Sequence, residues 1–206
     1  MDAKTIKSWL AALETEEVLA ICGTSGQRMT LNQHLPQRRL IFPGAFNPLH
    51  SGHRGMADLA EQRLGIPVEF EISLDNVDKP RLEVHEIQTR VQQFPPSERV
   101  WLTRARHFRE KAEVFGKATF VVGADTIARI ASLKYYADQQ QRDEAITSIA
   151  TRGGRFLVFG RTRAGAFETL ESLRLPAALR EICEGISCDD FRADVSSTEI
   201  RIAREM

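Results

Sequence analysis

Leu40-Ile41-Phe42-Pro43-Gly44-Ala45-Phe46-Asn47-Pro48-Leu49-His50-Ser51-Gly52-His53 passes from an apolar strand through a Pro- and Gly-bearing loop to a helix start. The helix reads on from Ser51 to Leu64. A strand, a tight loop and a helix N-terminus in that order form an anion-binding arrangement. The helix start offers unpaired N–H groups and the positive end of its dipole. Gly44 and Gly52 allow backbone to approach a phosphate closely. His50 and His53 lie three apart, so they can share a side of the first helical turn. Two imidazoles there can hydrogen-bond a polyphosphate and stabilise charge that grows during phosphoryl transfer. The residues alone leave two other readings open: metal ligands, with no third ligand in view, or core histidines satisfied by backbone.

Outward from this segment, strands and helices alternate. Val68 to Ile72 alternates apolar and acidic residues as a strand does. Glu83 to Phe94 reads as a helix stopped by Pro95-Pro96. Val100 to Leu102 is a strand, Ala105 to Phe115 a helix, and Ala118 to Gly123 a bare apolar strand of the doubly buried kind. Helical segments follow at Asp125 to Leu133 and Asp138 to Ala150, then a buried strand at Arg155 to Gly160. A helix at Ala177 to Cys183, a strand near Ile186 and a helix from Ser197 to Met206 close the chain. The alternation predicts an α/β fold, a doubly wound and mainly parallel sheet covered on both faces, with ligands at the carboxyl ends of its strands.

The organisation expected is an N-terminal helical extension over 1–37 and a domain over 38–206. Ile6, Trp9, Leu10 and Leu13 recur at helical spacing. After the apolar run Val18 to Gly23, residues 24–38 read as polar and irregular, and the whole segment as a packing appendage.

Composition narrows the classes. The chain has 206 residues, with 28 basic and 28 acidic side chains and zero formal net charge. That balance argues against binding duplex DNA or an anionic membrane through bulk potential. The arginines at 99, 104, 106 and 109 alternate with acids as a solvated helix does, so nucleic acid is not an expected partner. Cys22, Cys183 and Cys188 make neither a disulfide framework nor a zinc set. No apolar run nears the length of about 20 residues that a membrane span needs. The start does not read as a signal peptide, so a reducing, cytoplasmic setting is expected.

A second informative segment is Ser196-Ser197-Thr198-Glu199-Ile200-Arg201. By itself it reads as a capping box, Ser196 with Glu199. The same helix start can bind phosphate through N–H groups and hydroxyls, with Arg201 one turn in. The two segments together resemble the signatures of the nucleotidyltransferase superfamily, Gly-x-Phe-Asn-Pro-x-His-x-Gly-His and Ser-Ser-Thr-x-Ile-Arg, complete and in order. The resemblance covers residue 38 to the end and implies a Rossmann-like fold. It assigns catalytic roles to His50, His53 and Arg201. It assigns ATP binding to Gly44, Ala45, Phe46, Asn47, Gly52, His53, Ser196, Ser197, Thr198 and Arg201.

Within the superfamily the chain most resembles the nicotinamide or nicotinate mononucleotide adenylyltransferases. Gly123-Ala124-Asp125-Thr126 looks like that family's Gly-x-Asp segment at the dinucleotide site. Thr103 looks like its strand-end Thr, Lys79 falls where a lysine meets the substrate phosphate, and Arg161 closes a strand as the family's arginine does. The family's ring-stacking Trp is replaced by Tyr135 and Tyr136, either of which can stack. The implied substrates are ATP and a pyridine mononucleotide, with Mg²⁺ held by the ATP phosphates rather than by a protein site, and a homo-oligomer is compatible with the resemblance. Phosphopantetheine with ATP, a phospho-alcohol with CTP, and a catalytically retired sensor module remain as alternative readings. A P-loop and a Gly-x-Gly-x-x-Gly after a strand are both missing from the sequence.

Overall fold

The computed structural model describes residues 2–15, 18–30, 38–75, 80–163, 166–193, 195 and 197–205. Eight strands form one sheet. In chain order they are β1 (Val18–Cys22), β2 (Arg28–Thr30), β3 (Arg39–Pro43), β4 (Val68–Ser73), β5 (Val100–Thr103), β6 (Ala118–Gly123), β7 (Arg155–Phe159) and, after a separate hairpin of β8 (Arg161–Arg163) and β9 (Ala166–Glu168), β10 (Cys183–Ile186). The sheet order is β10-β7-β6-β3-β4-β5-β1-β2. From β10 to β5 every neighbour pair is parallel. The sheet is therefore the doubly wound, mainly parallel one that the alternation predicts.

The helices are α1 (Ala3–Leu13), α2 (Ser51–Leu64), α3 (Val84–Val91), α4 (Phe108–Phe115), α5 (Ala124–Ala131), α6 (Gln139–Thr151), α7 (Ala177–Arg180) and α8 (Ser197–Glu205). Period-two strands deal their side chains to two cores. Leu40, Phe42, Val121 and Leu157 meet Ile6 of α1, Ala57 of α2 and Ile87 of α3 on one face. Ile41, Phe120, Val122 and Phe156 meet Ala112 of α4, Ile127 of α5, Ile146 of α6 and Leu179 of α7 on the other.

The chain leaves β3 toward β4 and β5 on one side and returns to β6 on the other. The carboxyl ends of β3 and β6 thus flank the point where the strand order reverses, where such sheets bind ligands. Gly44 follows β3 there, and Gly123 ends β6.

The N-terminal segment is more than a helical extension. α1 forms as its periodicity predicts, capped by the Asp2 side chain on Thr5 N. β1 then adds antiparallel to β5, and β2 to β1. Ile6, Leu13, Ile21 and Met29 are buried in the two cores. A boundary at residue 37 would therefore cut through the sheet, and Arg28–Thr30 is a strand where an irregular stretch is predicted. Three helices are about a turn shorter than predicted: α3, which spans Val84–Val91 rather than Glu83 to Phe94, α4 and α7. α4 begins at Phe108, because Glu110 Oε2 accepts from Arg106 N and His107 N and caps it there. α7 ends at Arg180, because Cys183 joins β10.

Candidate active site

The loop between β3 and α2 folds over its own aromatic residue. Phe46 is buried, with a positive φ of 44°, a conformation that costs a non-glycine residue energy. Its ring is held edge-on by Phe42, Phe70, Phe94 and His53 at 5.1–5.5 Å. Gly44 is what lets the ring in, since a Cβ there would lie 2.6 Å from Phe46 Cζ. A Cβ on Gly52 would lie 2.8 Å from Val195 Cγ1 and 3.1 Å from His50 Nδ1. Both glycines thus serve the packing of the loop itself, a role beyond the phosphate approach predicted. The Asn47-Pro48 peptide is cis.

The segment is also braced from α3. Gln93 Nε2 donates to Phe46 O at 2.8 Å, and Leu49 N donates to Gln93 Oε1 at 2.8 Å. Arg90 Nη1 donates to Ala45 O at 3.3 Å, and Nη2 to Glu86 Oε1 at 3.1 Å. Neither Arg90 nor Gln93 belongs to a signature, and only their place across the loop, Arg90 on α3 and Gln93 just past its end, reveals them.

The two histidines share one side of the α2 N-terminus, as their spacing predicts. Their rings stack at 3.7 Å. His50 N donates to His53 Nδ1 at 3.3 Å, so neutral His53 carries its proton on Nε2. Burial, then the nearby His50, Arg161 and Arg54, push the His53 pKa down from 6.5 to about 3. Burial and Arg161 also lower that of His50. His53 is therefore a neutral donor at neutral pH. His50 Nδ1 is buried without a partner among the described residues.

The two signature segments meet. Ser197 Oγ donates to Pro48 O at 3.0 Å, and Arg201 Nη1 donates to Asn47 O at 2.5 Å. Residues 149 and 154 apart in sequence are thereby joined at the α2 and α8 N-termini. Ser196 and Lys79 lie outside the described residues, as does the side chain of Thr198. Arg161 and Asp125 come together at 3.5 Å, and Arg129 lies 3.8 Å from the same carboxylate oxygen.

A cleft of about 820 Å³ opens beside the loop. Pro43, Gly44 and Ala45 line one end, and Phe108, Ile130, Tyr135 and Tyr136 line another part of its wall. The Tyr136 hydroxyl donates to Ile130 O at 3.1 Å, and Lys134 Nζ sits 5.4 Å from the Tyr135 ring centroid. Thr103 stands at the end of β5, as the resemblance implies. It is fully buried, donating to Glu71 Oε1 at 2.5 Å, and is not among the residues that line the cleft.

Among the described residues no group of three or more His, Cys, Asp or Glu side chains is arranged to hold a metal ion. The carboxylates near the loop already face cations: Glu71 faces Lys111, Asp75 faces Arg104, and Asp125 faces Arg161. No helix among the described residues is long and apolar enough to cross a membrane. The family model described as Cytidylyltransferase-like matches residues 41–203, which takes in both signature segments. No curated protein gives a significant match.

Proposed function

The chain belongs to the cytidylyltransferase-like family, and from that premise we propose that it transfers AMP from ATP to nicotinamide (or nicotinate) mononucleotide, releasing pyrophosphate. One observation carries the acceptor: Tyr135 and Tyr136 line the same cleft as Gly44 and Ala45 of the nucleotide loop. A flat ring on those tyrosines and a triphosphate on the loop would lie within one continuous space.

The attacking group is a phosphate, already anionic at neutral pH, so no side-chain nucleophile or strong base is needed. The chain's task is alignment and charge stabilisation in an in-line displacement. His53 Nε2–H offers a neutral donor to the phosphoryl group, and His50 stacks against it. Arg201 and the α8 start, docked on Asn47 and Pro48, supply cationic and hydroxyl contacts to the departing pyrophosphate. Arg161 and Asp125, which pair at 3.5 Å beside the end of β6, would bind the acceptor nucleotide in this reading. Mg²⁺ carried by the triphosphate would offset its charge.

The family's description favours a second donor, CTP with a phospho-alcohol. Pyrophosphate release separates the readings when ATP and CTP are each paired with nicotinamide mononucleotide, its nicotinate analogue, phosphopantetheine and phosphocholine. Release is expected with ATP and a pyridine mononucleotide. Failure of both pyridine acceptors refutes the proposal. Tyr136→Leu is expected to raise the acceptor KM several-fold and leave that for ATP nearly unchanged. Tyr135→Leu should do less, because Lys134 already occupies a place over that ring.

A further inference from the structure

Two charged side chains outside both signatures are buried in the cleft wall. Glu71 is 0% exposed and Lys111 5%. Lys111 Nζ donates to Glu71 Oε1 and Oε2 at 2.8 and 2.7 Å and to Ala105 O at 3.0 Å, which uses all three of its protons. Thr103 Oγ1 donates to Glu71 Oε1 at 2.5 Å and accepts from Ala105 N at 3.2 Å. Ser73 Oγ also donates to Ala105 O. The backbone extends the network: Gly44 N donates to Glu71 O at 2.9 Å, and Leu74 N to Thr103 O at 2.8 Å.

A buried ion pair is a poor route to stability, because a well-packed apolar pair of similar volume does as well or better. Its location offers another reason for it. Gly44, Glu71, Ser73 and Lys111 all line the cleft. Convergent charged hydrogen bonds admit one geometry, whereas apolar contacts of equal volume tolerate sliding.

We propose that the Glu71–Lys111 pair is a positioning device that locks the carboxyl ends of β3, β4 and β5 to α4, and so holds the acceptor-side wall in register with the nucleotide loop. Lys111 has no proton left for a ligand, and the Glu71 side chain is only 1% exposed. The pair therefore acts through Gly44, Ser73 and Ala105 rather than by touching substrate. Its kinetic consequence rests on the cleft being the acceptor site, as the proposed function holds.

The test replaces both charges at once, Glu71→Met with Lys111→Met, so that neither is left buried alone. The double variant is expected to fold. Amide exchange at Gly44, Leu74 and Ala105 should speed up by about tenfold or more, while β6 and β7 keep their protection. The KM for nicotinamide mononucleotide should rise about tenfold, with that for ATP within about twofold of the unaltered protein. Unchanged exchange at the three amides overturns the proposal, as does a folded double variant with both KM values unchanged. Lys111→Arg keeps the charge but cannot aim three donors at the same points. It should raise the acceptor KM about threefold or more, and a normal KM in this variant also overturns the proposal, whether or not the double variant folds. If the unaltered protein does not use a pyridine mononucleotide while the exchange signature holds, the proposed acceptor falls and the positioning role stands.

Discussion

His53 is a donor because of where its neighbours stand. Burial disfavours its charged form, and His50, Arg161 and Arg54 add like charge. Its Nδ1 accepts from His50 N, which leaves Nε2–H as the ring's donor. Removing one preorganised donor from a developing charge costs about 3 kcal/mol. His53→Ala is thus expected to lower turnover about 10²-fold, with a smaller effect on ATP affinity. Steady-state kinetics decides it, and a variant retaining half of normal turnover would exclude the role. The same depressed pKa makes a stability prediction. As pH falls below 6.5 the unfolded chain takes up a proton at His53, and the native state does not until about pH 3. Stability therefore declines across that window as acid is added. Denaturant titrations at a series of pH values should show a flatter decline for His53→Gln. The His-x-x-His pair was legible from spacing alone, but its charge state was not, since a pKa depends on burial and on charges brought from Arg161, more than a hundred residues away.

At the scale of elements, the β3–α2 loop and α8 form one assembly. The loop's shape comes from Phe46 packing under Gly44, and α8 is docked on the carbonyls of Asn47 and Pro48. Gly44→Ala puts a methyl 2.6 Å from a ring enclosed by three other phenylalanines and His53. Overpacking of this kind should destabilise the protein by about 1–3 kcal/mol. Urea unfolding measures it, and an unchanged midpoint would mean that the ring simply moves aside. Both segments were readable as strand-loop-helix and helix-start signals, because caps, Gly and Pro act over a few residues. Their mutual contact, across 149 and 154 residues, has no local signal. The brace from Arg90 and Gln93 was invisible, since nothing in the pattern of α3 says which loop it faces.

For the whole molecule, the first thirty residues complete the sheet. α1 covers one face, β1 and β2 cover the edge of β5, and Glu14 binds Arg81 and Arg104, which in turn bind Asp75 at the cleft. Deleting residues 1–30 removes buried Ile6, Leu13, Ile21 and Met29 and bares the β5 edge. The truncated protein should lose its cooperative thermal transition and self-associate, as measured by calorimetry and size-exclusion chromatography. A soluble, cooperatively unfolding product would show that the segment is the dispensable appendage its polar composition suggests. Element types, the parallel winding and the two signatures are properties of the chain itself, because period-two and period-3.6 patterns and cap residues are local and each needs only its neighbours. The antiparallel turn of β1 onto β5, the burial of Thr103 behind Glu71, the meeting of Lys111 with Glu71 across 40 residues and of Arg201 with Asn47 across 154 were decided only in three dimensions. Those contacts follow from the order of strands in the sheet, and that order is set by the joint packing of two cores rather than by any single stretch of sequence.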